Sequence, residues 1–410
     1  MFDVRNPRTL MGAALMAFAL ILAAPAIAKK DTVRPAVGKP LQAAQALIQE
    51  QKYKEALVQI DKAEAVGKLS EYENFVINQL LGSASAGAGD AKGAARAFDT
   101  VIKSGRLPAE ENLKITEAVA GTFLRAKNYA GAVEWLKKYK TMGGKKADAL
   151  ALLPQAYYLS GDYKAAAREA AAQIVVKEKA GQKPSESQIK ILASALVKQK
   201  DMLGYTAALE RLVRYYPKPE YWADVIQRTA TKSGFSDKLT LDMYRLLRAT
   251  GTMEDARDYV EMAQLAVQAG VPGEAQQVLA EGYEKKLLGQ GDQADRHTRL
   301  KKLVDDKVAE DKKTIASADA QVAAAATGDP LVKTGLAYVT YGEAEKGLKM
   351  MQDGIKKGEL KRPEHAKLHL GYAYYLAGQK DQAIKTLRTV KGKDGSGDFA
   401  RLMMIVAARS

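Results

Sequence analysis

Cysteine is absent from this 410-residue chain. That absence excludes disulfide frameworks, thiolate zinc sites and cysteine nucleophiles together, and it suits an oxidising compartment where stray thiols are hazardous. Histidine is nearly absent too, with only His297, His365 and His369, and no Ser-His-Asp, phosphate-loop or HExxH pattern accompanies them. His365 and His369 stand four apart, which brings two imidazoles to one helix face beside Glu364. No third ligand is evident, so the two read as surface histidines and no metal or cofactor is expected. β-Branched runs are scarce and the few prolines lie mainly between apolar-periodic segments; an all-α chain follows.

Long apolar runs are also missing, with one exception at the start. Arg5 and Arg8 precede an apolar stretch, Leu10 to Ala24, which ends in Ala26-Ile27-Ala28 and then Lys29-Lys30. A basic start, a short apolar run and an A-x-A site predict a signal peptide over 1–28, cleaved near Ala28, and hence a periplasmic or secreted protein; the alternative reading of the same run is an uncleaved N-terminal anchor. No cysteine follows the run, so no lipid anchor is expected.

Formal charge is +15, and losing Asp3, Arg5 and Arg8 with the signal lowers it by one. In an exported protein this balance disfavours nucleic acid as a partner. It favours an anionic surface, meaning lipid headgroups, glycan or envelope polymer, or an acidic protein. The plainer reading is that lysines solvate the outer faces of helices.

Seven alanines, Ala56, Ala94, Ala132, Ala166, Ala208, Ala275 and Ala383, follow turn-like dipeptides and precede bulky apolar residues, the first four spaced 34 to 38 residues apart. A unit of this length cannot bury its apolar face alone, so consecutive units must stack as helical hairpins. The fourth unit is the clearest: Ala156-Tyr157-Tyr158-Leu159-Ser160-Gly161-Asp162-Tyr163 leads into Ala166. The last unit runs Leu370-Gly371-Tyr372-Ala373-Tyr374-Tyr375-Leu376-Ala377-Gly378 into Ala383, Leu387 and Val390.

These units resemble the tetratricopeptide repeat family, whose hairpins carry a small residue and a Tyr on helix A, a Gly-Asp/Asn-Tyr turn, then Ala and a bulky residue on helix B. The resemblance implies a right-handed superhelical solenoid. It also fits Pro217 and Trp222 to the family's helix-ending proline and helix-opening tryptophan. The small residues Gly82 and Gly371 and the alanine column let helices A and B approach closely, while Phe123, Tyr157 and Tyr374 fill the wedge between hairpins.

The domain reading follows. An extended lead-in covers 29–40, about seven hairpins occupy 41–291, a charged and then alanine-rich segment covers 292–327, and two further repeats with a capping helix complete 328–410. The segment 292–327 is either a degenerate hairpin or a break that lets two solenoid segments pivot. No repeat alanine is assigned between Ala275 and Ala383.

Carboxylates are abundant, but the helix pattern reads them all as solvent-facing, and nothing announces a cleft for paired-carboxylate chemistry. The chain is therefore expected to recognise rather than catalyse. The groove side of helix A offers Gln155, Tyr158, Gln227, Gln264, Tyr372 and Tyr375, a row of amides and phenols suited to an extended peptide or glycan. The same row reads equally as solvated groove residues without a ligand. The Lys-plus-Asn carboxylate clamp of some family members is not seen. One narrower resemblance concerns Tyr216-Pro217-Lys218-Pro219-Glu220-Tyr221-Trp222. It is similar to junctions in exported repeat proteins that accompany Ton-type energy-transducing complexes, which implies a scaffold or adaptor for protein–protein interaction in the cell envelope.

Overall fold

The computed structural model describes residues 31–409; the signal-peptide reading, with cleavage near Ala28, lies outside them. Among the described residues there are twenty α-helices and no strand, and no helix is long and apolar enough to cross a membrane. The chain forms an all-α array of helical hairpins, in two units divided at Tyr205 and Thr206.

The first unit contains α1 (Pro35–Gln49), α2 (Tyr53–Glu64), α3 (Glu71–Gly87), α4 (Ala91–Lys103), α5 (Ala109–Arg125), α6 (Tyr129–Thr141), α7 (Ala147–Leu159), α8 (Tyr163–Lys179) and α9 (Glu186–Lys198). The next helix, α10 (Met202–Tyr215), starts within it. From α1 to α8 each odd helix pairs with the even helix that follows, and each even helix packs on the next odd one. Direct contacts also join α1 to α3 and α7 to α9.

One residue does double duty in three of the four turns considered next. Gly89, Lys127, Gly161 and Lys200 take positive φ, the left-handed conformation that ends a helix. The residue after each then starts the next helix: Asp90, Asn128, Asp162 and Asp201 accept from the backbone N–H groups of Gly93, Gly131, Ala165 and Gly204 at 2.8–3.1 Å. Three of these residues also close the preceding helix, with Asp90, Asn128 and Asp201 donating N–H to Ser85, Phe123 and Leu196 carbonyls at 2.8, 2.9 and 3.0 Å. Orphan groups of both helices are satisfied in one tight turn.

That cap defines the repeat column. Ala56, Ala94, Ala132, Ala166, Ala275 and Ala383 donate N–H to the residue four earlier, Lys52, Asp90, Asn128, Asp162, Val271 and Gln379, the first position of each helix B ladder. All are fully buried. Two members differ from the expectation. Ala208, although buried, stands seven residues after Asp201, and Tyr205 holds the equivalent position, donating to Asp201 at 3.0 Å. The missing member between Ala275 and Ala383 is Gly347, which donates to Glu343 at 3.0 Å.

The lead-in also differs. Helix α1 begins at Pro35, not after Pro40. Pro35 sits where a missing N–H costs nothing, and Val37, Leu41 and Ala44 bury one stripe that holds the helix together through Pro40. Arg34 fixes its start, with Nε and the backbone N–H both donating to Glu73 Oε1 at 2.8 and 2.9 Å. Glu73 also closes a capping box with Ser70 at the start of α3. Bonds from Arg34 and from the Ser70 N–H hold the Glu73 carboxyl down, to about 2.

The second unit contains most of α10, then α11 (Pro219–Ala230), a 3-10 turn (Asp237–Leu239), α12 (Thr240–Ala249), α13 (Ala256–Ala269), α14 (Pro272–Glu284), α15 (Ala294–Ala324), α16 (Asp329–Thr340), α17 (Ala344–Lys357), α18 (Pro363–Leu376), α19 (Lys380–Leu387) and α20 (Ser396–Ala407). The segment 292–327 is built on one helix of 31 residues rather than a hairpin. It buries only His297, Val304 and Val308, and carboxylates secure its outer length. Asp311 accepts from Tyr341 Oη at 2.7 Å, and Asp319 from Tyr338 Oη at 2.8 Å and Lys346 Nζ at 2.6 Å.

Glycines set the closest approach in this unit. A Cβ on Gly347 would lie 2.4 Å from the Gly335 carbonyl oxygen, and one on Gly335 would lie 2.5 Å from that of Gly347. Backbone therefore meets backbone between α16 and α17. The last helix does more than cap an end: α20 packs on α18 and α19 and also on α11 and α12, with Phe399 edge-on to Phe235 at 5.4 Å.

Candidate functional site

The register places two parallel rows on the odd helices of the first unit. Eight residues ahead of the column position lie Ile48, Ala86, Leu124, Tyr158 and Val197, one per odd helix, and all five are half-buried. Eleven ahead lie Gln45, Ser83, Gly121, Gln155 and Ser194, of which all but Ser194 are half-buried. Each row steps from helix to helix, and the α1–α3 and α7–α9 contacts show that odd helices lie side by side. The result is a band of partly exposed apolar groups beside amides, hydroxyls and a glycine. An extended chain can lie on such a band, since apolar side chains contribute area while amides and hydroxyls pair with peptide groups. Gln155 and Tyr158 belong to it; the Tyr158 ring also stands edge-on to Tyr163 at 5.3 Å.

The other four expected groove residues lie in the second unit and fare differently. Gln227 on α11 and Gln264 on α13 are exposed. Tyr375 is half-buried and stacked on Tyr372, with ring centroids 6.3 Å apart. Tyr372 is a correction: it is only 3% exposed and belongs to the core. Its hydroxyl donates to Glu274 Oε1 at 2.9 Å, and the Arg245 guanidinium lies 4.8 Å from its ring centre. Helix α18 turns this side of its surface onto α12 and α14, so side chains of the unit itself fill the space expected to be open.

Arg245 organises that interior. It meets Glu274 through Nε–Oε1 at 2.9 Å and Nη2–Oε2 at 2.7 Å, and Asp242 through Nη1–Oδ1 at 2.9 Å. His369 Nε2 reaches the other Asp242 oxygen at 3.2 Å. These carboxylates are buried, contrary to the reading that every acid faces solvent. Burial opposes charge on Asp242, yet His369 and Arg245 outweigh it and hold the carboxyl well below its usual range. Burial and Glu274 push the Tyr372 phenol well up. An acid held ionised and a phenol held neutral form a structural network rather than a proton-transferring pair.

The histidines do not converge. His365, buried rather than on the surface, pairs with Asp394 at 2.6 Å, whereas His369 pairs with Asp242. His297 is buried as well, and its Nδ1 accepts from the Gly289 N–H at 3.2 Å.

A second candidate surface escaped the sequence reading. The run Arg388-Thr389-Val390-Lys391-Gly392-Lys393-Asp394-Gly395-Ser396-Gly397-Asp398 joins α19 to α20 and borders a cavity of about 470 Å3. Its signal was local: lysines interleaved with glycines just ahead of a helix.

No family model matches the chain, and no curated protein matches it. Among solved structures it is similar to Naa15/Naa10 bound to HypK-THB at 13% identity, over 88% of this chain and 65% of that one, with a TM-score of 0.29. It is similar to the pentatricopeptide repeat protein PPR10 from maize at 14% identity, over 88% and 61%, with a TM-score of 0.31. It is also similar to the TPR domain of P58(IPK) at 13% identity, over 91% and 97%, with a TM-score of 0.21. The chain spans less than two thirds of the length of the first two. The described residues form an all-α array of helical hairpins with capped turns and a small-residue column.

Proposed function

We propose that the chain is a helical-repeat scaffold that binds an extended segment of a protein partner along the odd-helix face of its first unit. The supporting observation is the register-locked row Ile48, Ala86, Leu124, Tyr158 and Val197, left partly exposed on five consecutive odd helices beside Gln45, Ser83, Gly121 and Gln155. A fold that needed this face only for packing would bury the row as fully as it buries the alanine column. Substituting Leu124→Asp together with Tyr158→Asp should abolish partner binding while leaving the helical signal intact. Unchanged binding would refute this assignment.

Export to the periplasm is part of the proposal and rests on Arg5, Arg8, the apolar run and Ala26-Ile27-Ala28. An adaptor role beside a Ton-type complex rests on the Tyr216 to Trp222 junction. Crosslinking in envelope preparations tests it; recovery of no Ton-type component would remove that partner. The alternative, a basic protein that binds anionic envelope material, has a specific observation in its favour in the cationic α19–α20 loop.

A further inference from the structure

The cavity beside that loop is lined by five cations, Lys232, Arg388, Lys391, Lys393 and Arg401, against one carboxylate, Asp398. Lys232 lies two residues beyond the end of α11, Arg388 just after α19, the two lysines in the loop, and Arg401 and Asp398 in the first turns of α20. Asp398 is already shared: Lys232 and Arg401 both pair with it, Arg401 at 2.5 Å, and Arg401 reaches Glu210 at 3.1 Å as well. Among the described residues, no carboxylate is paired with the charged side-chain end of Arg388, Lys391 or Lys393. Burial first, and then the neighbouring Arg401, hold the Lys232 ammonium below its ordinary range, with Asp394 working against them.

The loop that carries these groups is fixed in place. Asp394 accepts from Ser396 Oγ at 2.6 Å and pairs with His365, the Ser236 N–H donates to the Asp394 carbonyl at 2.9 Å, and the Lys391 N–H donates to Glu364. Gly392 is required where it stands, since a Cβ there would lie 2.0 Å from Ser396 Oγ; Gly395 has φ +106 and faces the Phe235 ring. The lysines therefore project from a held backbone, which lowers the ordering cost of engaging a ligand. The first N–H groups of α20 are already spent: Ser396 donates to Asp394 and Gly397 to the Gly392 carbonyl at 3.2 Å each. Those two N–H groups are engaged within the loop, which leaves the charged side chains as the main donors to an anion here.

We infer that this cavity binds a multiply charged phosphate group. A single carboxylate would leave most of the positive charge uncompensated, whereas a phosphate monoester or diphosphate offers two or more negative charges and several acceptors. The cavity is in the size range of small-molecule sites and accommodates a phosphate with part of whatever bears it. Asp398 is the built-in competitor: it holds Lys232 and Arg401 when no ligand is present.

The test uses the purified chain with two probes, inorganic pyrophosphate by calorimetry and vesicles containing phosphatidic acid, a phosphate monoester, by co-sedimentation, against phosphatidylcholine vesicles. Saturable pyrophosphate binding that falls at least tenfold in the Arg388→Gln/Lys391→Gln/Lys393→Gln variant, and tightens several-fold in Asp398→Asn, supports a site for a soluble phosphate compound. Vesicle binding lost in the same triple variant, with pyrophosphate bound only weakly, supports a lipid phosphate at the same site. The Lys54→Gln/Lys92→Gln/Lys164→Gln variant removes equal charge from the first unit and should leave both unchanged. Equal losses in the two triple variants, or no saturable binding of either probe, overturns the inference.

Discussion

Arg245 and Glu274 form a two-pronged ion pair inside the second unit, with each side chain at most 3% exposed. Burying either charge alone is far costlier than burying the pair, so the pair fixes how α12 and α14 sit and gives Tyr372 of α18 its hydrogen-bond partner. Arg245→Met should destabilise the second unit by about 3–5 kcal/mol, because Glu274 then remains buried without its cation. Arg245→Met with Glu274→Met should recover much of that loss. Urea denaturation of the three proteins checks this, and a double variant no better than the single one would contradict it.

Close approach sorts the glycines. A Cβ on Gly371 would meet the Leu387 side chain at 2.5 Å, whereas one on Gly347 would meet the Gly335 carbonyl at 2.4 Å. A leucine side chain can rotate away and a helical carbonyl cannot. Gly347→Ala should therefore cost more than Gly371→Ala, with overpacking penalties of about 1–3 kcal/mol as the scale. Thermal denaturation of the pair decides; equal melting temperatures would show that α16 and α17 separate freely.

Acid sensitivity follows from two depressed carboxyls. Hydrogen bonds from Arg34 and Ser70 hold Glu73 down, to about 2; burial opposes charge on Asp394, but Ser396 and His365 outweigh it and bring it to about 2. Unfolded carboxyls titrate near pH 4, so these groups stabilise the fold fully above that pH, and the contribution is lost as pH falls from about 4 through about 2. Glu73→Gln and Asp394→Asn should each lower stability at neutral pH and flatten its decline over that window. Parallel stability–pH curves for wild type and variants would contradict the assignment.

Local signals in the sequence carried the hairpins, because a turn is specified by neighbours: Gly89-Asp90 and Gly161-Asp162 announce both the end of one helix and the cap of the next. The column slipped where that signal weakened. Lys200 takes a left-handed φ in place of glycine, which hid Asp201 as the cap and shifted attention from Tyr205 to Ala208. Gly347 escaped for a related reason, since a glycine inside a helix suggests a break, whereas here it permits backbone contact. Tyr372 was misread because its helical position faces the side where a regular solenoid stays open. What fills that side, Glu274, lies 98 residues away in sequence, and no local pattern encodes it.

The first unit keeps the row Ile48, Ala86, Leu124, Tyr158 and Val197 partly exposed, and partner binding there is the central claim. A photo-crosslinking residue placed at Leu124 or at Tyr158 tests it most directly, compared with the same residue at the exposed α2 and α8 positions Val58 and Val176. The account predicts a discrete protein adduct from Leu124 and Tyr158, blocked by adding unlabelled chain, and none from Val58 or Val176. Adducts from Val58 and Val176 alone, or none from Leu124 and Tyr158, would contradict it.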